Sequence, residues 1–139
     1  EMSRYDGSGR STPRVANAVF CVAYLGLLPS FFVQLRWLPD VSGLALTLAV
    51  FVPKCCDIGA YTTGRLVGRT PFSPRLSPKK TWEGIAGGMV FAVLTAVGLS
   101  FAGPVFRHGV PEAVAFGLVV GFVGVFGDLA ESMVKRDAG

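Results

Sequence analysis

The sequence predicts an all-α, polytopic membrane protein of about four transmembrane helices, with a basic cytoplasmic loop between the second and the third. Three observations lead there. The 139 residues are 51% hydrophobic and only 16% charged, against ~25% charge in ordinary soluble domains. Long apolar runs recur, and ~20 such residues are what an α-helix needs to cross the ~30 Å hydrocarbon layer of a bilayer. Finally, Lys and Arg collect in alternate connections, the distribution expected when basic residues are retained on the cytoplasmic side of short loops.

The first span is read at residues 15–35, uncharged throughout, with Pro29 as a kink near its far end. The second, 42–64, is apolar until Lys54 and Asp57. The loop that follows, RLVGRTPFSPRLSPKKT at 65–81, holds three prolines and five basic residues. Each proline disfavours helix in the residue before it, so the loop is expected to be extended. The third span, 84–106, is rich in Gly, Ala, Val and Phe, and the fourth, 112–135, is apolar until Asp128 and Glu131. Gly84 and Gly88, and Gly117 and Gly121, are four residues apart, a spacing that lets helix backbones approach closely in lipid; at Gly87 and Gly88 the approach of a ligand stays open beside packing.

With the N-terminus cytoplasmic, Arg4, Arg10, Arg14, Arg65, Arg69, Arg75, Lys79, Lys80, Lys135 and Arg136 lie inside, and only Arg36 and Arg107 outside. The net charge of +4 is then explained by cytoplasmic loops and acidic headgroups, and nucleic acid is not expected as a partner. Cys21, Cys55 and Cys56 lack metal-ligand spacing and are read as small buried hydrophobes. His108, in an outer turn, is read as solvated. The first ten residues are polar and show no cleavable signal.

Chemistry is expected where charge enters the membrane. An ionised carboxylate inside a span costs a few kcal/mol unless it is paired or lines a wet cavity. For Asp57 an intrahelical pair with Lys54, three residues earlier, is one reading. The other comes from the fourth span, where Asp128, Glu131 and Lys135 fall on one stripe at i, i+3 and i+7. Asp57 precedes Arg65 by eight residues and Asp128 precedes Lys135 by seven, so at ~1.5 Å per residue both acids sit roughly 10–12 Å inside the basic boundary. Carboxylates at one depth beneath a basic loop suit Mg²⁺ shared with substrate phosphates. The loop cations then serve as phosphate partners, or else merely enforce orientation. Ser77 or Thr81 is expected to cap the third span, with Pro78 and Glu83 at early helical positions. Lys79 and Lys80 oppose the dipole of that helix and call for something negative nearby. Trp82 suits a membrane interface.

The run DIGAYTTGRLVGRTPFSPRLSPKKTWEGIAGG, residues 57–88, resembles the core of the phosphatidate cytidylyltransferases, or CDP-diacylglycerol synthases. GDLAESMVKRDAG, residues 127–139, is similar to the start of that family's C-terminal motif. The resemblance implies a membrane enzyme that joins CTP and phosphatidate to give CDP-diacylglycerol and pyrophosphate, with Mg²⁺ required and no protein nucleophile. It implies Asp57 and Asp128 as metal carboxylates, with Glu131 as a supporting acid. Arg65, Lys79 and Lys80 become phosphate partners, and Ser77, Thr81 and Glu83 shape the loop. Lys135 and Arg136 meet triphosphate or lipid phosphate. The family's motif runs on past Gly139 to a Lys-Asp pair and further acids, and full-length members carry additional N-terminal spans. The chain is therefore expected to be one membrane-embedded domain, a fragment of a longer inner-membrane enzyme whose active face is cytoplasmic. A homodimer stays open, as do CTP-dependent action on another lipid phosphate or polyprenol and a non-catalytic membrane scaffold.

Overall fold

The computed structural model describes residues 11–73 and 77–137; Arg4, Arg10 and Arg75 lie outside the described residues. The chain divides into two compact units, 1–39 and 40–139.

In the first unit, helix α1 (Ser11–Val22) passes through a π-helical turn, Ala23–Leu27, into α2 (Leu28–Arg36). Together they supply a candidate span at Val15–Arg36. Pro29 accounts for the widened turn: it has no N–H for the Leu25 carbonyl, and its ring presses on that carbonyl in a regular helix. The kink expected at Pro29 is thus absorbed as a π turn. Phe20, Leu25 and Phe31 are exposed, which suits a segment whose solvent is lipid. Cys21 is exposed as well, while Cys56 is buried, so only part of the expectation of buried thiols holds; all three are free.

The second unit contains α3 (Ser42–Val67), a two-stranded hairpin of β1 (Pro71–Ser73) and β2 (Ser77–Thr81), α4 (Trp82–Ser100) and α5 (Val110–Asp137). All three helices hold spans long and apolar enough to cross a membrane, at Ser42–Val67, Trp82–Ser100 and Val110–Lys135. With the first unit this makes four among the described residues, and the protein is an integral membrane protein. The third span ends earlier than expected, at Ser100 rather than 106. Gly103 and Pro104 interrupt the apolar run, and residues 101–109 form turns.

Helix α4 packs along both α3 and α5. Leu48, Val52 and Cys56 of α3 meet Ala92 and Ala96 of α4 in the core. The approach depends on glycine. A Cβ at Gly84 would lie 2.8 Å from the Ala60 carbonyl oxygen, one at Gly88 would lie 2.9 Å from that of Cys56, and one at Gly117 would lie 2.7 Å from Val93 Cα. Gly87 likewise faces Thr63 of α3, so packing rather than ligand approach occupies both Gly87 and Gly88. This is the small-residue contact that replaces the hydrophobic effect between helices in lipid.

The loop expected to be merely extended is a paired hairpin, with Pro71 opposite Thr81 and Ser73 opposite Ser77. Pro71 and Pro78 permit this because, among the described residues, the ribbon has only two strands and no third strand calls for their missing N–H groups. At the outer end His108 is exposed, as expected, and it also has a partner. Its Nδ1 pairs with the Glu112 carboxylate, and its backbone N–H donates to Glu112 Oε2 at 3.2 Å, closing the turn before α5.

Candidate functional site

The site is built where α4 begins. Thr81 Oγ1 accepts the Gly84 N–H at 3.1 Å and caps the helix, satisfying one of the free amides of its first turn. Glu83 faces the other way. Its carboxylate accepts the Thr70 N–H at 3.2 Å and the Thr70 hydroxyl at 2.8 Å, and the Trp82 N–H donates to the Thr70 carbonyl at 3.0 Å. Phe72 stands edge-on to Trp82, with ring centroids 4.6 Å apart. These contacts fasten the hairpin to the end of α4. Ser77 and Pro78, expected at or near the start of that helix, belong to β2.

The hairpin closes one side of a cleft of about 530 Å³. From α3 the cleft receives Asp57, Tyr61 and Arg65; from β2, Ser77, Lys79, Lys80 and Thr81; from α5, Asp128 and Ser132. Asp57 and Asp128, read from the sequence at equal depth, thus share one cavity with three cations. Lys80 Nζ lies 2.5 Å from Asp128 Oδ2, its side chain 22% exposed against 56% for the aspartate. The Nζ is shut off from solvent, and its contact with one Asp128 oxygen leaves an ammonium of three donors with capacity to spare. Arg65 Nη1 donates to Tyr61 Oη at 3.0 Å. Among the described residues, no ion pair joins Lys54 to Asp57.

The remaining sequence candidates lie elsewhere. Glu131 is held 2.5 Å from Lys135, both side chains largely exposed, and neither lines the cleft. Arg136 belongs to α5, and its side chain lies outside the described residues. Among the described residues, no three of His, Cys, Asp and Glu gather to hold a metal ion. Asp57, Asp128 and Glu131 therefore do not form a ready-made set of three ligands. Two hydroxyl-bearing residues of the cleft escape the sequence reading, Tyr61 and Ser132. Helical spacing offered both: Tyr61 is four residues from Asp57 and from Arg65, and Ser132 is four beyond Asp128.

A family model described as the cytidylyltransferase family matches residues 5–139. The chain belongs to the cytidylyltransferase family. Among its relatives, this cytidylyltransferase chain is 39% identical to the phosphatidate cytidylyltransferase of Mycobacterium leprae, over 87% of its own length and 38% of the relative's. It is 40% identical to that of Pseudomonas aeruginosa, over 81% and 42%, and 37% identical to phosphatidate cytidylyltransferase 4, chloroplastic, of Arabidopsis thaliana, over 94% and 39%. The chain spans about two fifths of the length of these relatives.

Proposed function

We propose that the protein carrying this chain transfers CMP from CTP to phosphatidate, giving CDP-diacylglycerol and pyrophosphate, at the cleft between α3, the hairpin and α5. The observation that carries this reading is the meeting of two intramembrane carboxylates, Asp57 and Asp128, with Arg65, Lys79 and Lys80 in one cavity. A solvent-shut ammonium with only one carboxylate oxygen beside it is matched by a phosphate, which brings several acceptor oxygens. The names of the relatives supply the substrates.

In this reading a phosphate oxygen of phosphatidate forms a bond to the α-phosphorus of CTP, and the bond from that phosphorus to the pyrophosphate oxygen breaks. No side chain needs to act as nucleophile. Lys79, Lys80 and Arg65 hold the two phosphate-bearing substrates against each other, and the Tyr61 hydroxyl orients Arg65. Positioning and charge stabilisation are then the whole of the protein's contribution. Asp57 and Asp128 fit a Mg²⁺ ion, which takes one or two carboxylates and completes its shell with water and substrate phosphates. When bound, the ion would neutralise charge on the departing pyrophosphate. We place the active face on the cytoplasmic side of the inner membrane, from the distribution of basic residues.

The test is a radiolabelled CTP assay in detergent with phosphatidate and Mg²⁺, on the full-length protein. CDP-lipid is expected, with Asp57→Asn and Asp128→Asn each lowering the rate by about 100-fold or more. Turnover of a polyprenyl phosphate in place of phosphatidate would reassign the lipid. Absence of any CDP-lipid would favour a non-catalytic membrane module.

A further inference from the structure

The cleft holds two lysines and two aspartates in different states. Lys79 is exposed and Asp57 has no ion pair among the described residues, whereas Lys80 and Asp128 are in contact at 2.5 Å. A divalent cation approaching Asp128 meets an ammonium already there, and a phosphate approaching Lys80 meets a carboxylate. Either ligand alone is therefore opposed by half of the pair. Both together replace it, with Lys80 passing to phosphate and Asp128 to metal.

We infer that Lys80 is a positioning residue for Asp128, a counter-ion that withholds the carboxylate from metal until a triphosphate draws the lysine away, so that metal and nucleotide bind cooperatively. This rests on the reading of the cleft as a metal and nucleotide site. The exchange requires only the lysine side chain to swing. The hairpin that carries it is fastened by Thr70 to Glu83, by Thr81 to Gly84 and by Phe72 to Trp82. A lysine suits this part because its charge sits at the end of a flexible stem and makes no fixed bidentate contact. Coupling of this kind is reciprocal: whatever factor the nucleotide adds to metal affinity, the metal adds to nucleotide affinity.

The experiment measures Mn²⁺ binding by electron paramagnetic resonance on the full-length protein in detergent, with and without CTP, and needs no turnover. Lys80→Met is expected to bind Mn²⁺ alone about tenfold more tightly than wild type, because a positive charge in contact with the ligand is gone. It is also expected to lose most of the gain in Mn²⁺ affinity that CTP gives wild type. Lys79→Met removes the same charge from the same cleft without touching Asp128. If it tightens Mn²⁺ as much as Lys80→Met, a general field and not the pair is responsible, and the inference fails. Persistence of the tightening when Lys80→Met is combined with Asp128→Asn overturns it equally. Binding of Mn²⁺ that is equal in wild type and Lys80→Met sinks the inference alone, while no binding in any variant sinks the metal-site reading beneath it.

Discussion

At the scale of single residues, depth along a helix is the quantity a sequence states most plainly, since each residue advances ~1.5 Å. That is why Asp57 and Asp128 were legible as neighbours although 71 positions apart (128 − 57). Which partner each acid takes was not legible. Glu131 lies on the same stripe as Asp128 but is drawn off by Lys135 one turn on, and Lys80 reaches Asp128 from a strand whose existence the prolines concealed. Thr81 was readable as a cap because the hydroxyl stands three residues before the amide it accepts from. Thr81→Val is expected to cost ~1 kcal/mol of thermal stability in detergent, the usual loss for a helix cap. Thr81→Ser, which keeps the oxygen, should lie close to wild type.

At the scale of elements, glycine spacing was a correct guide to the contacts between α3, α4 and α5, and it separates two classes of substitution. Gly84→Ala and Gly117→Ala put a methyl group within 3 Å of backbone atoms of the neighbouring helix. Each is expected to destabilise by ~1–3 kcal/mol through overpacking. Gly98→Ala meets nothing within 4 Å and should stabilise slightly, since alanine loses less freedom in a helix. Thermal unfolding of the three variants in one detergent checks the contrast, and equal shifts would contradict the packing described. The hairpin behaves differently, because its attachment to α4 runs through the half-buried Glu83. Glu83→Ala is expected to speed hydrogen exchange at the Trp82 amide, which bonds to the Thr70 carbonyl, while leaving α4 beyond its first turn protected. Pairing of the strands is not legible in the sequence, because proline signals an extended backbone without saying what lies opposite it.

At the scale of the whole molecule, hydropathy and basic-residue asymmetry carried the four spans and their boundaries to within a few residues, because length and charge bias are properties of the chain itself. The boundaries that moved did so at Gly103 and Pro104, where an apolar run continues but a helix does not. Orientation has its own test. Ser73→Cys, in a background where Cys21, Cys55 and Cys56 are replaced by serine or alanine, is expected to react with a membrane-impermeant thiol reagent from the cytoplasmic side alone. Reaction from the opposite side would invert the topology.

The two walls of the cleft differ in how they are built. Gly84 and Gly88 lock α4 against the helix that bears Asp57, whereas Gly124 and Gly127, on either side of the turn leading into Asp128, have open space where a side chain would go. One aspartate is thus mounted on a fixed jaw and the other on a wall with room to be resurfaced. For anyone seeking to reshape the cleft, α5 is the wall to edit and α4 the one to leave alone.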